Sequence, residues 1–436
     1  MKRIVSLSFL LLMTAGAFAQ TNPAPAISPE VGAVAAETKL SPAERGIALA
    51  NSLIEKNPKN FEAYNALALA LSRRARETSD VKFYNLAEEA LQKSSVISTN
   101  NFDGARIHVW LLLGKHEFAA AREEALKLNK KMPDDVMIYG FLTDSNVELG
   151  DYADAEKAAQ WMLNLRPGNL PALTRAAYLR ELYGDIDGSL ELMNMAFQST
   201  PPGEVEDGAW ILTQMAHLQL MAGKPEEAEK LLAQALLQFP GYHYALQNMA
   251  KVRISQKRYE DAVTLLRQRY DAAQHAENEY DLAEALELAG HKEEAAKAFA
   301  EFETKSLAES GRGDNSNREL ILYYADHAHQ PAKALEIAEL ERSRRHDVYT
   351  LDARAWALHV NGRDVEAKKD IEAALAVGIR DTKFFQHAGE IALSVGDKKA
   401  ATEYLQKAAS LNTPVAEQAR MKLASLDAGV TAAKGH

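Results

Sequence analysis

Hydrophobic positions along this chain recur at helical spacing. From residue 41 onward, apolar residues fall three and four apart in amphipathic stretches of about three to four turns, divided by short polar breaks. The breaks repeat one phrase: Gly, any residue, a hydrophobic residue or Pro, two variable residues, then a small residue. It reads Gly150-Asp151-Tyr152-Ala153-Asp154-Ala155, and returns from Gly184 to Ser189, Gly223 to Ala228, Gly290 to Ala295, Gly362 to Ala367 and Gly396 to Ala401. Versions without the Gly end at Ala262 and Ala334. Taking the small residue as a marker gives Gly46, Ala87, Ala120, Ala155, Ser189, Ala228, Ala262, Ala295, Ala334, Ala367 and Ala401. Seven of the ten steps lie within one residue of 34 and the other three are longer, the signature of a unit of fixed length with loop insertions.

Each unit therefore predicts a pair of helices. Gly ends the first, where a residue with positive φ is wanted. The small residue lets the second cross the first closely. Pro58, Pro167, Pro201 and Pro240 follow second helices and force the turn into the next unit. Three segments lengthen the period, Glu77 to Phe83, Ser199 to Glu206 and Glu309 to Asn317, and read as loops open to partners. The last contains Arg312-Gly313-Asp314, a nominal cell-adhesion triplet better read as part of a solvated loop.

The pattern resembles the tetratricopeptide repeat. Tyr139 and Leu142 fall where that family has its first-helix aromatic and Leu, Tyr152 and Ala155 match its inter-helix motif, and Pro167 its terminal Pro. A second unit fits through Leu212, Met215, Ala228, Leu232, Ala235 and Pro240. The resemblance covers roughly residues 43 to 425, with weaker units around 262 to 310. It implies an all-α fold, a right-handed α-solenoid (superhelix) of tandem helical hairpins, about ten to eleven units over residues 41–426. It also implies that positions two, five, nine and twelve of each first helix face a concave groove, counting from nineteen residues before the marker. That count places Trp210, Thr213, His217, Tyr244, Gln247, Lys251, Tyr323, Tyr349, Asp352, Trp356 and His359 on the partner-binding face. Asn248 and Lys251 are present, but Glu277 and Asp281 occupy the next unit, which disfavours a receptor for C-terminal carboxylates.

The N-terminus changes the picture of where such an array works. Lys2 and Arg3, an apolar run from Ile4 to Met13, and Ala17-Phe18-Ala19 read as a cleavable signal peptide over residues 1–19. Residues 20–40, rich in Pro and Ala, read as a flexible leader, and 427–436 as a disordered tail. A periplasmic or secreted protein is expected. There is no Cys, so a lipid anchor at the cleavage site, disulfides and thiolate metal sites are not expected. Loss of Lys2 and Arg3 moves the formal charge from -11 to -13, two positive charges fewer, which disfavours nucleic acid as a partner.

Catalytic and cofactor motifs are missing. His116-Glu117 has no second His at zinc-site spacing, and no phosphate loop or nucleophile elbow occurs. His327 and His329 stand two apart, a spacing that does not share a helix face. No metal, cofactor or catalytic residue is expected. The leading expectation is an exported scaffold binding protein or peptide in its groove, in cell-envelope assembly or polysaccharide export. A carbohydrate-binding array using Trp210, Tyr244 and Trp356 is the alternative, and an enzyme subunit is the third reading, which a closed cleft with paired, shifted carboxylates would favour.

Overall fold

The computed structural model describes residues 40–410 and 414–434. The expected signal peptide (1–19) and, but for Leu40, the expected leader (20–40) lie outside the described residues. Twenty-two α-helices and no strand are found among the described residues. α1 (Pro42–Lys56) stands alone and ten hairpins follow. The first five pair α2 (Phe61–Thr78) with α3 (Lys82–Ile97), α4 (Phe102–Gly114) with α5 (Phe118–Lys131), α6 (Val136–Glu148) with α7 (Tyr152–Leu165), α8 (Leu170–Leu182) with α9 (Ile186–Ser199), and α10 (Val205–Met221) with α11 (Pro225–Gln238). The next pair α12 (His243–Ser255) with α13 (Tyr259–Ala272), and α14 (Ala276–Leu288) with α15 (Lys292–Glu309). α16 (Asn317–Leu322), extended by a π-helical turn at Tyr323–His327, pairs with α17 (Pro331–Arg342). α18 (Val348–Val360) pairs with α19 (Asp364–Ala376), and α20 (Thr382–Ser394) with α21 (Lys398–Ala409). α22 (Pro414–Lys434) closes the array and runs past residue 427, where the sequence predicts a tail. No described helix is long and apolar enough to cross a membrane.

The hairpin turn explains the recurring phrase. At the end of α6, Gly150 adopts φ 78° and Asp151 N–H reaches back to the Asn146 carbonyl at 2.8 Å, capping carbonyls that the helix leaves unpaired. Nine turns repeat this geometry. Six use Gly; His116, Lys257 and His329 hold the same positive φ without it. The small marker then sits as the fourth residue of the second helix in nine of the ten hairpins. One marker is corrected: in α5 the fully buried residue is Ala121, and Ala120 points partly outward. Phe118, not the preceding Glu117, opens the helix, and the steps Ala87 to Ala121 to Ala155 each become 34.

Packing follows from this register. Ala228, Leu232 and Ala235 of α11 meet Leu212 and Ala216 of α10 and Ala245 of α12 in one apolar cluster. Each second helix is thus sealed between its own first helix and the next. The chain is an all-α repeat solenoid, and its first helices line the inner surface.

Candidate functional site

The solenoid coils tightly enough for successive turns to touch. The turn of one hairpin meets a loop roughly five hairpins further on. His346 N–H donates to the Glu148 carbonyl at 2.9 Å, and Val348 N–H to the Tyr152 hydroxyl at 2.8 Å. A Cβ at Gly184 would come within 2.5 Å of the Gly378 carbonyl oxygen, so that turn needs glycine both for its φ of 77° and for the approach.

Two of the three expected free loops are clasps of this seam. Glu204, Glu206 and Asp207, at the end of one insertion and the start of α10, take Arg73 and Arg76 from α2. Burial works against the Arg76 charge, but Glu206 and Asp207 overcome it and hold the guanidinium above its ordinary range. Glu206 also accepts from the Tyr242 hydroxyl at 2.6 Å, and His243 Nε2–H donates to the Arg76 carbonyl at 2.9 Å. The Arg312-Gly313-Asp314 segment is not a solvated loop. Gly313 is buried against the Lys115 and His116 backbone, and Arg344 holds the carbonyls of Ser310, Gly311 and Arg312 at 2.7 to 2.9 Å. In the first insertion Glu77 is buried and accepts from Ala43 N–H at 3.0 Å, tying α1 to α2.

Behind the seam, α4, α6, α8, α10 and α12 curl round a cavity of about 790 Å³. Its wall carries Trp110, Tyr178, Met193, Trp210, Gln214 and Tyr244. Its charges are engaged. Arg175 Nε donates to Asp144 at 2.8 Å, and His116 Nδ1 accepts from Arg345 at 2.6 Å. Burial, then Arg345, push the His116 imidazole down to about 3. Burial and Asp347 raise Glu148 to about 7, against the pull of Arg318 and Arg345.

The second half of the inner surface is built differently. On α14, Glu277, Asp281 and Glu284 share one face. Arg269 bridges the first two, and Gln247 donates to Asp281 at 2.7 Å. His327, in the π turn, reaches Glu287 at 3.1 Å. Trp356 donates its indole N–H to Asp326 at 2.6 Å and stacks on His387 at 4.2 Å, whose Nδ1–H in turn donates to Asp352 at 2.8 Å.

Comparison with known proteins agrees with this architecture. The tetratricopeptide repeat family matches residues 219–271. Residues 219–271 thus carry a tetratricopeptide repeat, and the helical hairpins on either side repeat its architecture. Human IFIT1, solved as a dimer with m7Gppp-AAAA, has a similar fold, with a TM-score of 0.50, 14% identity, and coverage of 83% of this chain and 84% of that one. Cut9 in the APC/C hetero-tetramer Cut9-Hcn1 gives a TM-score of 0.49 at 12% identity, covering 80% and 58%. A tetratricopeptide repeat protein from Parabacteroides merdae gives 0.35 at 19% identity, covering 58% and 97%. No curated protein matches the sequence. A tetratricopeptide scaffold supports protein–protein interaction in general.

Within this tetratricopeptide array the expected groove residues separate into two groups. Trp210 and Tyr244 line the first-turn cavity. Lys251 is exposed, and Gln247 is tied to Asp281. The rest serve the protein itself. Thr213 is fully buried and donates to the Ala209 carbonyl, and His217 pairs with Glu181 at 3.1 Å. Tyr323 stacks on Phe299, Tyr349 packs edge-on to Phe384, and His359 pairs with Asp364 at 2.6 Å. Asp352 and Trp356 form the bonded network above. The same count also reaches wall residues not singled out from sequence. Counted from Ala121 it gives Trp110, from Ala155 it gives Met137 and Asp144, and from Ser189 it gives Thr174 and Tyr178. The misplaced marker at Ala120 hid Trp110.

Proposed function

We propose that this protein is an exported scaffold that holds a protein partner along its inner surface, in cell-envelope assembly or polysaccharide export. Export rests on the charged start, apolar run and Ala-Phe-Ala site of residues 1–19. Binding rests on one observation: on α12 and α14, Lys251, Glu277 and Glu284 face the inner surface and remain open to solvent. A preformed charged strip fixes a partner's register with little loss of ordering entropy. The carbohydrate reading loses one of its three aromatics, because Trp356 is bonded to Asp326 and covered by His387. For an enzyme, Asp144, Glu148 and Asp207 are the carboxylates on the cavity wall; Arg175 engages the first, the second faces Arg318 and Arg345, and Arg76 holds the third.

A photo-crosslinking amino acid at Lys251 or Glu277, compared with Trp161 or Glu226 on second helices, tests the binding face. Envelope extracts should yield one crosslinked protein band from the inner positions. Crosslinks confined to the outer positions would rule out the groove. The purified envelope form should begin at Gln20; an unprocessed Met1 in the cytosolic fraction would remove the export claim.

A further inference from the structure

The first-turn cavity has properties that no peptide-binding strip requires. Its volume of about 790 Å³ falls within the range of roughly 300–1,000 Å³ typical of small-ligand sites. Its apolar wall includes Met137, Phe141, Leu170 and Ile211 from the first helices and Met193 from α9. Every charged side chain on that wall already has a partner inside the protein. Arg76 is held by Glu206 and Asp207, Arg175 by Asp144, and Glu148 lies 3.6 Å from Arg318. His116, whose imidazole is kept neutral by burial, accepts from Arg345. A charged ligand entering this space would lose its hydration and meet no free counter-charge.

What the wall leaves over is different. The side chains of Trp110, Tyr178, Trp210, Gln214 and Tyr244 all reach the cavity, and none of their polar atoms has a hydrogen-bond partner among the described residues. Two indole N–H groups, two phenol hydroxyls and one carboxamide thus remain as donors beside an apolar floor. Aromatic rings with a free polar edge suit a ligand that buries a ring or chain and offers a few acceptors.

We propose that the lumen of the first superhelical turn is a binding site for one small, uncharged, mainly apolar molecule carrying hydrogen-bond acceptors. The seam preforms it, since the clasps of Arg76 and His116 border the cavity directly. This site stands apart from the strip on α12 and α14, and its failure would leave the scaffold reading untouched.

The test compares two dyes with the same ring system, neutral N-phenyl-naphthylamine and its anionic sulfonated analogue, titrated against the mature protein. The neutral dye should bind one per chain, and the sulfonate at least about tenfold more weakly. Gln214→Trp, which fills the space, and Trp210→Ala, which removes a wall ring, should each weaken the neutral dye about tenfold while helical circular dichroism is kept. Trp161→Ala, on an exposed second-helix position, should change nothing. If Gln214→Trp does not fold, Trp210→Ala alone decides. The proposal is overturned if neither dye binds, if both bind equally, or if the folded lumen variants bind like wild type. It is equally overturned if a neutral trisaccharide or an uncharged apolar pentapeptide binds the lumen and the neutral dye does not.

Discussion

The two turns of this superhelix put the same repeat positions to opposite uses. In the first, Trp110, Tyr178 and Trp210 stand round an open cavity with their polar atoms unengaged. In the second, Trp356 is bonded to Asp326 and stacked on His387, and Asp352 is bonded to that same histidine. A groove position is therefore available or consumed according to what the neighbouring first helix presents to it. Asp326 and His387 are the partners that engage Trp356 in the second turn, and Met137 and Gln214 offer nothing comparable in the first. Position in the repeat gives direction, and only the neighbours give occupancy.

The largest effect should come from opening the seam that encloses the first turn. Arg76→Ala leaves Glu206 buried opposite no cation, and should lower unfolding stability by about 3–5 kcal/mol in a denaturant titration. Arg363→Ala breaks an exposed, solvent-screened pair with Glu366 and should leave the same transition close to wild type. Equal losses would mean that the clasp does not hold the turns.

Next come the glycines. Gly184→Ala and Gly290→Ala both force a side chain into positive φ, a cost of about 1–2 kcal/mol. At Gly290 nothing lies within 4 Å, whereas at Gly184 the new Cβ meets the Gly378 carbonyl. Thermal melts should therefore place Gly184→Ala clearly below Gly290→Ala; coincident melts would show the turns apart in solution.

A smaller pair reads the lumens directly. Trp356→Phe removes a hydrogen bond to the exposed Asp326 carboxylate and should cost about 0.5–1.5 kcal/mol, while Trp210→Phe breaks no hydrogen bond and should cost less. The reverse order would mean that the second turn is the open one.

The smallest effect is the pH dependence of the seam. Glu148 holds its proton up to about 7 in the folded chain, against 4.5 when unfolded, so its contribution is full below 4.5 and lost as pH rises through 7. His116 acts in the opposite sense: its contribution is full above 6.5 and lost as pH falls toward 3. The Glu148→Gln variant should therefore gain on wild type as pH rises from 5 to 8 in melts of the two proteins. A constant difference across that range would show that Glu148 is solvated and the seam open.

Much of this was legible in the residues. The period, the positive-φ turn and the buried small residue are local requirements of one helical hairpin, so each repeat states them again. Where an element could begin one residue either way, as at Phe118, the local signal slipped and took Trp110 with it. The loops were misread for a different reason. Polar, Gly-rich segments such as Ser310 to Asn317 look the same whether they face water or a second turn. The clasps on Arg344 and His116 join residues more than 30 and 200 positions apart.

The sequence by itself determined an all-helical array, its register, and the direction in which each first-helix side chain points, because these follow from backbone geometry and nearest-neighbour burial. Only the tertiary structure decided that the array coils back on itself, that two of the insertions hold the turns together, and that the first-turn aromatics stay unengaged while Trp356 of the second is bonded. Those outcomes depend on the curvature accumulated over about five hairpins, a sum of small crossing angles that no single repeat encodes.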